Sequence, residues 1–550
     1  MDHPISALAA ASLSLCCTFL ADAGELSVVA VDPPVNSRVA SVHAPIVIHF
    51  DRPLDPATVN FTNIRAFARW SGAVTGTLAL SNADQTLTLI PSGPRTSGES
   101  VMVMLSHDLR AADGSFLRAA GYSYVYWTRA CPGPVSFTTV QTINTNLIVP
   151  GESSRPYGGS AADVNHDGRL DLCIVNEDSE DLRVYLNTGN PLNPFAAALV
   201  PPPPLGADAS PSDTADFNND GLTDICVATH VDNTVVVLLG NGDGTFNVSQ
   251  VVNVGSTPTG ITAFDADGDA DPDIVNTNFA SSNLSIHINN GSGVFSPPVF
   301  FEAGATGERA ITAADMDRDG IMDLVVGFRT AQTVAVLRGN GNATFANIGS
   351  QSCGGAVWQM NVADLSGDGI NDVATANSFS NNAAILLGQP GGTLGPATIY
   401  SIPTDPFGLA TDVGDVDGDG DLDWMTSSYS GDWRLFLNNG AGAFTFHQEF
   451  NAPIAASCTL FFDMDNDGDM DMGLIDEEAD RVIIMRNNGP DVPGDADGDG
   501  DCDSLDLNIV LTDFGCTDGP GACSGDMDDD GDTDSVDLNI ILSVFGSSCR

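Results

Sequence analysis

The chain contains no lysine, and its nineteen basic residues, all arginine, face 73 acidic ones in 550 positions. A formal charge of -54 would repel phosphate backbones and anionic lipid, which excludes nucleic-acid and anionic-membrane binding and makes cations the natural partners. Beyond the first 23 residues there is no apolar run of the roughly 18 residues needed to span a bilayer, so no transmembrane segment is expected. Nucleophile elbows, H-E-x-x-H, phosphate loops and Rossmann fingerprints are also missing. The eight histidines are scattered. No catalytic residue and no organic-cofactor site is therefore assigned.

Strong acidity can signal disorder, but 42% of the residues are hydrophobic and the aspartates sit at fixed offsets rather than in blocks, so the chain should fold. Its length calls for about two to four domains. At the N-terminus the apolar run Ile5 to Leu20 precedes Ala21-Asp22-Ala23. That is the pattern of a signal peptide cleaved before Gly24, although His3 is the only basic-type residue ahead of it. The mature protein is expected to be secreted, extracellular or at a bacterial cell surface. Of eleven cysteines, Cys16 and Cys17 leave with that segment, while Cys502, Cys516, Cys523 and Cys549 cluster in the last fifty residues. These four can form two disulfides whose connectivity the sequence leaves open. Cys173 and Cys226 occupy equivalent apolar positions and are expected to be buried free thiols.

What the chain does have is a nine-residue signature, D-x-[DNS]-x-D-[GA]-x-x-D, repeated seven times at intervals of 48 to 53 residues. Seven copies in register define a repeat architecture with an oxygen-rich pocket in each unit. The side chains at positions one, three, five and nine, with the backbone carbonyl at position seven, supply hard oxygen donors around a tight turn, as calcium requires. In loop one these are Asp163, Asn165, Asp167, Arg169 and Asp171; in loop two Asp216, Asn218, Asp220, Leu222 and Asp224. Loop three offers Asp265, Asp267, Asp269, Asp271 and Asp273, and loop four Asp315, Asp317, Asp319, Ile321 and Asp323. Loop five offers Asp364, Ser366, Asp368, Ile370 and Asp372. Loop six has Asp415, Asp417, Asp419, Asp421 and Asp423, and loop seven Asp463, Asp465, Asp467, Asp469 and Asp471.

Zinc would want His or Cys, and magnesium fewer protein ligands. Bare solvated turns need Asp or Gly at one or two places, not four converging carboxylates. Ser366 marks loop five as the weakest site, whereas the additional Asp421 and Asp469 mark loops six and seven as the tightest.

Each period has room for four short strands: an apolar strand after the loop, such as Asp224 to Ala228, then a second leading to a Gly/Asn turn such as 240–246 or 289–295. That is one propeller blade. The seventh loop is followed by only two strands, yet the segment 135–146 aligns with 244–255. The N-terminal segment is thus expected to complete the last blade and close a ring spanning 131–490, removing exposed edges. Residues 24–130 carry short strands, Ile46 to Phe50, Thr86 to Ile90, Val101 to Leu105 and Tyr122 to Trp127, separated by turns, as in an all-β sandwich.

The stretch PYGGSAADVNHDGRLDLCIVNE at 156–177 resembles the integrin-α-type FG-GAP repeat, and GNGDGTF at 240–246 its bacterial VCBS-type relatives. The Gly-Ala-Pro segment is absent, so integrin ligand recognition is not carried over. Residues 32–59, with GTLALSNADQTLTLIPSGP and LRAADGSFL, resemble the bacterial Ig-like domains of surface-layer and secreted proteins, which implies a spacer or adhesion module.

After Pro490, two loops 31 residues apart carry EF-hand spacing with Asp at position twelve. Their ligands are Asp495, Asp497, Asp499, Asp503 and Asp506, then Asp526, Asp528, Asp530, Asp534 and Asp537. Each runs into a near-identical helical segment ended by Gly. This pair resembles a dockerin, which implies two calcium ions and a cohesin partner; a calcium-stapled cap or attachment module is the alternative.

The expected fold is mainly β: signal peptide 1–23, Ig-like β-sandwich 24–130, seven-bladed propeller 131–490, and a small α-helical dockerin-like module 491–550. The expected function is that of a non-catalytic, secreted calcium-binding repeat protein, holding up to seven Ca2+ in the propeller and two in the tail, in adhesion, glycan or protein binding, or cohesin docking. The alternative is a secreted polysaccharide-degrading enzyme, lyase or glycoside hydrolase, using the propeller as its platform.

Overall fold

The computed structural model describes residues 24–148, 151–402, 407–429, 431–488, 496, 502, 504–517, 523–527 and 531–545. The expected signal segment lies outside them. No helix among the described residues is long and apolar enough to cross a membrane.

The N-terminal unit consists of two four-stranded antiparallel sheets. One runs Val28–Asp32, Ile46–Phe50, Thr86–Pro91, Gly76–Ser81; the other Gly72–Ala73, Ile64–Ala68, Ser100–Leu105, Tyr122–Trp127. Ile46, Ile48 and Phe50 alternate inward along one strand and Ile64, Ala66 and Ala68 along another. They meet in a single core with Leu87, Leu89, Val101, Val103 and Tyr124, as period-two patterning requires.

Among the described residues from Phe137 to Asn487 the chain forms seven blade sheets, all antiparallel, each led by an inner strand ending just before an aspartate loop, and one small two-stranded sheet, Gly388–Gln389 with Thr393–Leu394. The inner strands are Pro156–Ala162, Ala209–Ala215, Pro258–Phe264, Glu308–Ala314, Ala356–Ala363, Gly408–Gly414 and Ala456–Phe462. Each packs against the next and the first against the last, so the sheets form a closed, propeller-like ring. The second strands, such as Asp224–Thr229 and Asp323–Phe328, are buried at every residue. They lie between neighbouring sheets, which is why they read as unbroken apolar runs.

Closure is made by Phe137–Asn144, which pairs antiparallel with Arg481–Asn487 and becomes the outer strand of the seventh sheet. It stands where Phe246–Asn253 stands in the second sheet, the segment with which it aligns in sequence.

The first sheet departs from four strands. It has only Pro156–Ala162, Asp171–Asn176 and Asp181–Tyr185. The segment that should supply the fourth contains Pro201 to Pro204, which have no N–H to donate to a ladder. It still follows the edge through the Leu199 N–H bonded to the Val184 carbonyl (2.9 Å) and a bridge between Asp181 and Pro204.

At the C-terminus, helices Ser504–Asp513 and Ser535–Val544 pack around Cys502, Val510 and Ile541. Cys516 is joined to Cys523 by a disulfide, and Cys549 lies outside the described residues. Cys173 and Cys226 are free and buried.

Candidate metal centres

All seven aspartate loops have the same internal wiring. The first-position carboxylate accepts the N–H of position six: Asp163 from Gly168, Asp216 from Gly221, Asp265 from Ala270, Asp315 from Gly320, Asp364 from Gly369, Asp415 from Gly420 and Asp463 from Gly468, at 2.7 to 3.2 Å. The fifth-position carboxylates accept the N–H of position seven, from Asp167 with Arg169 to Asp467 with Asp469. These bonds curl the loop so that the donor oxygens converge. Positions four and six are both left-handed throughout. Position four is His166, Asn219, Gly268, Arg318, Gly367, Gly418 and Asn466, and at position six even Ala270 adopts φ +68°.

The ninth aspartates do a second job. Asp171, Asp224, Asp273, Asp323, Asp372, Asp423 and Asp471 are at most 1% exposed. One oxygen of each accepts the N–H of position two, as in Phe217 to Asp224 (2.9 Å), and the other an N–H at or just past the end of the third strand, as in Gly240 to Asp224 (2.9 Å). They clamp the loop to its own blade while leaving carboxylate lone pairs toward the loop centre.

The carboxylates suit a hard cation. Ligand atoms of Asp265, Asp267 and Asp269 lie within 4.8 Å of one another, as do those of Asp315, Asp317 and Asp323, of Asp415, Asp417 and Asp423, and of Asp463, Asp465 and Asp471. In loops one and two, Asn165 and Asn218 bond to Asp167 and Asp220. Asp267 Oδ1, Asp415 Oδ1 and both oxygens of Asp469 are buried with no hydrogen-bond partner, a costly state that a cation would relieve. Burial first, then neighbouring carboxylates, pushes Asp265 and Asp415 up to about 7 and Asp469 up to about 10. An all-oxygen donor set of this kind fits calcium.

The two additional acids expected to strengthen loops six and seven behave differently. Asp421 turns to Arg38 at 3.0 Å, whereas Asp469 stays buried inside its loop. In the tail, Asp506 and Asp537 accept the N–H groups of Ala496 and Met527, and Asp526 that of Gly531. Asp534 caps the second helix in a reciprocal box with Asp537, as an EF-type loop entering a helix should. Asp495, Asp497, Asp499, Asp503, Asp528 and Asp530 lie outside the described residues.

Two groups of residues escaped the sequence reading. The first asparagine of the turn after the third strand ties neighbouring blades together. Asn289 Nδ2 donates to the carbonyls of Phe217 in the previous blade (2.8 Å) and of Pro272 (3.1 Å). Asn187, Asn438 and Asn487 repeat this with Met464, Leu365 and Val416. The Asn-Asn-Gly turn, Asn-Thr-Gly at Asn187, was the available signal.

The second group is on the N-terminal unit, which sits on the aspartate-loop face. Its His107 N–H bonds to the Gly268 carbonyl (2.7 Å), Ser123 N–H to Gly320 (2.8 Å), Asn36 to Gly369 (2.9 Å) and Cys131 N–H to Gly468 (2.8 Å). Arg65 pairs with Asp271 at 2.5 Å.

Comparison with curated proteins finds no match. Among solved structures, BBS1N in complex with ARL6DN is 14% identical, with a TM-score of 0.45 over 64% of this chain and 97% of that one. A lectin from Agrocybe aegerita, described as recognising non-reducing terminal N-acetylglucosamine, is 18% identical with a TM-score of 0.38, over 74% and 94%. A catalytically inactive virginiamycin B lyase from Staphylococcus aureus, with quinupristin, is 15% identical with a TM-score of 0.42, over 64% and 99%. FG-GAP-like repeats match residues 163–227, 216–276, 265–326, 364–426 and 415–474. These spans take in all seven aspartate loops and half of the sequence, and on that ground the chain belongs to the FG-GAP-like repeat family.

Proposed function

We propose that this protein is a secreted, non-catalytic binding platform whose ring is rigidified by calcium in its aspartate loops. The observation that carries the reading is the sevenfold recurrence of one backbone-wired loop of converging carboxylates. Buried oxygens without partners stand in loops three, six and seven. The N-terminal unit, Ig-like by sequence, acts as a spacer that covers the loop face. The tail is a dockerin-like module with two further calcium loops. Leu505, Leu511, Val536 and Leu542 project from its helices into solvent, each about half exposed, where a cohesin-like partner would cover them.

A ligand that binds only the folded state stabilises it by mass action, by about 2.7 kcal/mol per site at a hundredfold excess over Kd. Chelation of the purified full chain should therefore lower its melting temperature by 10 °C or more, on the order expected for several such sites, and added calcium should restore it. Melting that ignores both chelator and calcium removes this reading.

A further inference from the structure

At the ring centre the inner strands enclose a channel of about 370 Å³, within the roughly 300–1,000 Å³ range of small-molecule sites. Phe67, Arg69, Met102 and Trp127 of the N-terminal unit line its end at the aspartate loops. The other end is different. Tyr157, Arg309 and Trp358 stand there, each near the start of its inner strand, as far along the strand as possible from the loops.

Two arginines and a group of aromatic rings converge at this mouth. Arg309 lies 3.8 Å over the Trp358 ring, and Arg329 lies 4.8 Å from Trp358 and 5.1 Å from Phe379. Phe407 packs edge-on to both Trp358 (4.9 Å) and Phe379 (4.6 Å), with Tyr429 beyond it (6.1 Å). Arg309 is only 8% exposed, and its Nε has no hydrogen-bond partner. In a chain where carboxylates outnumber arginines nearly fourfold, Arg155, Arg183 and Arg486 all have carboxylate partners. Among the described residues neither Arg309 nor Arg329 makes such an ion pair. A guanidinium stacked on a ring keeps in-plane N–H groups clear of that ring; one side of Arg309 meets the Tyr157 hydroxyl, and the remaining N–H groups of Arg309 and Arg329 match a carboxylate. Partly exposed rings beside it suit the C–H face of a sugar, and Gln359, Asn361, Ser210 and Thr259 in the lining supply hydroxyl partners.

We propose that this mouth binds an acidic sugar, a uronate unit whose carboxylate pairs with Arg309 and Arg329 and whose ring packs on the Trp358 cluster. The nearby Glu177 is held by Arg155 at 3.3 Å, so its charge is already offset inside the protein rather than turned against the ligand. The proposal rests on the ring being a binding platform and is independent of calcium. It also gives a use to a protein face that the aspartate loops leave aside.

The test is calorimetric titration of the calcium-supplemented full chain with trigalacturonate, the matching neutral trisaccharide, and a sulfated one. Trigalacturonate alone should bind, and Arg309→Gln should weaken it by about tenfold or more, the scale of one charge-assisted contact. Should Arg309→Gln fail to fold, the half-buried Arg329→Gln decides, with a weakening of about threefold or more expected and its folding checked by thermal melting. No uronate binding by folded protein, equal binding of the neutral sugar, preference for the sulfated one, or unchanged affinity in the decisive variant overturns the assignment. Calcium-dependent melting without uronate binding would sink this site alone, and uronate binding with calcium-insensitive melting would sink the metal reading alone.

Discussion

Glycine is favoured in the aspartate loops for two separable reasons. Gly221 has φ +87° and open space where a Cβ would stand, so an alanine there would meet only the left-handed penalty of about 1–2 kcal/mol. Gly268, also at φ +87°, faces the backbone of Ala120 and Gly121 in the N-terminal unit, with the nearest atom 2.6 Å from an added Cβ. Backbone cannot swing aside as a side chain can. Gly268→Ala should therefore lower the melting temperature clearly more than Gly221→Ala and should make the 24–130 unit more susceptible to limited proteolysis. Equal effects of the two substitutions would show that the contact contributes nothing. The glycines were legible in sequence as turn formers. What they touch was not, because the contact joins positions separated by nearly 150 residues.

The blade is built from interactions of two ranges, and only one of them can be read from spacing. The nine-residue loops and the strands after them were visible because their bonds are local and recur in every period. The closing strand was visible because 135–146 repeats the pattern of 244–255. The missing fourth strand of the first sheet was not anticipated, although Pro201 to Pro204 removed the donors it needed. Asn289 illustrates the longer range: it reads as a turn residue, yet its amide reaches the previous blade. It is 2% exposed, so Asn289→Ala would leave two buried carbonyls without this donor. A loss of about 1–3 kcal/mol follows, read as a lower urea midpoint. Asn290→Ala, at the exposed neighbour, should stay within about 0.5 kcal/mol. A silent Asn289→Ala would mean that the blades hold together through apolar packing alone.

Across the whole molecule the acidic charge has a pH signature. Burial is the main cause that pushes Asp171, Asp224 and Asp323 up to about 7 and Asp423 up to about 8, against an ordinary aspartate value near 3.9. A carboxylate that binds its proton more tightly when folded favours the fold while protonated. That advantage is lost as pH rises from about 4 to about 8. Chelated protein should melt at a lower temperature at pH 8 than at pH 5. With calcium the trend should reverse, since the metal competes with those protons. A chelated protein that gains stability over the same range would contradict the burial of these groups.

Ring closure gives the molecule a history as well as a shape. Ser136 and its partner Asn487 are 351 positions apart, so a chain made from its N-terminus must keep the strand at 137–144 waiting, edge unpaired, until six blades have been built. A neighbouring nascent chain can offer the same partner strand, and the two would then exchange closures into a dimer with every hydrogen bond intact. The N-terminal unit, complete long before, gains a role in time: by resting on Gly268, Gly320 and Gly369, all made before the seventh blade, it holds the waiting strand's root over the growing ring and raises the local concentration of the correct partner over any other chain's.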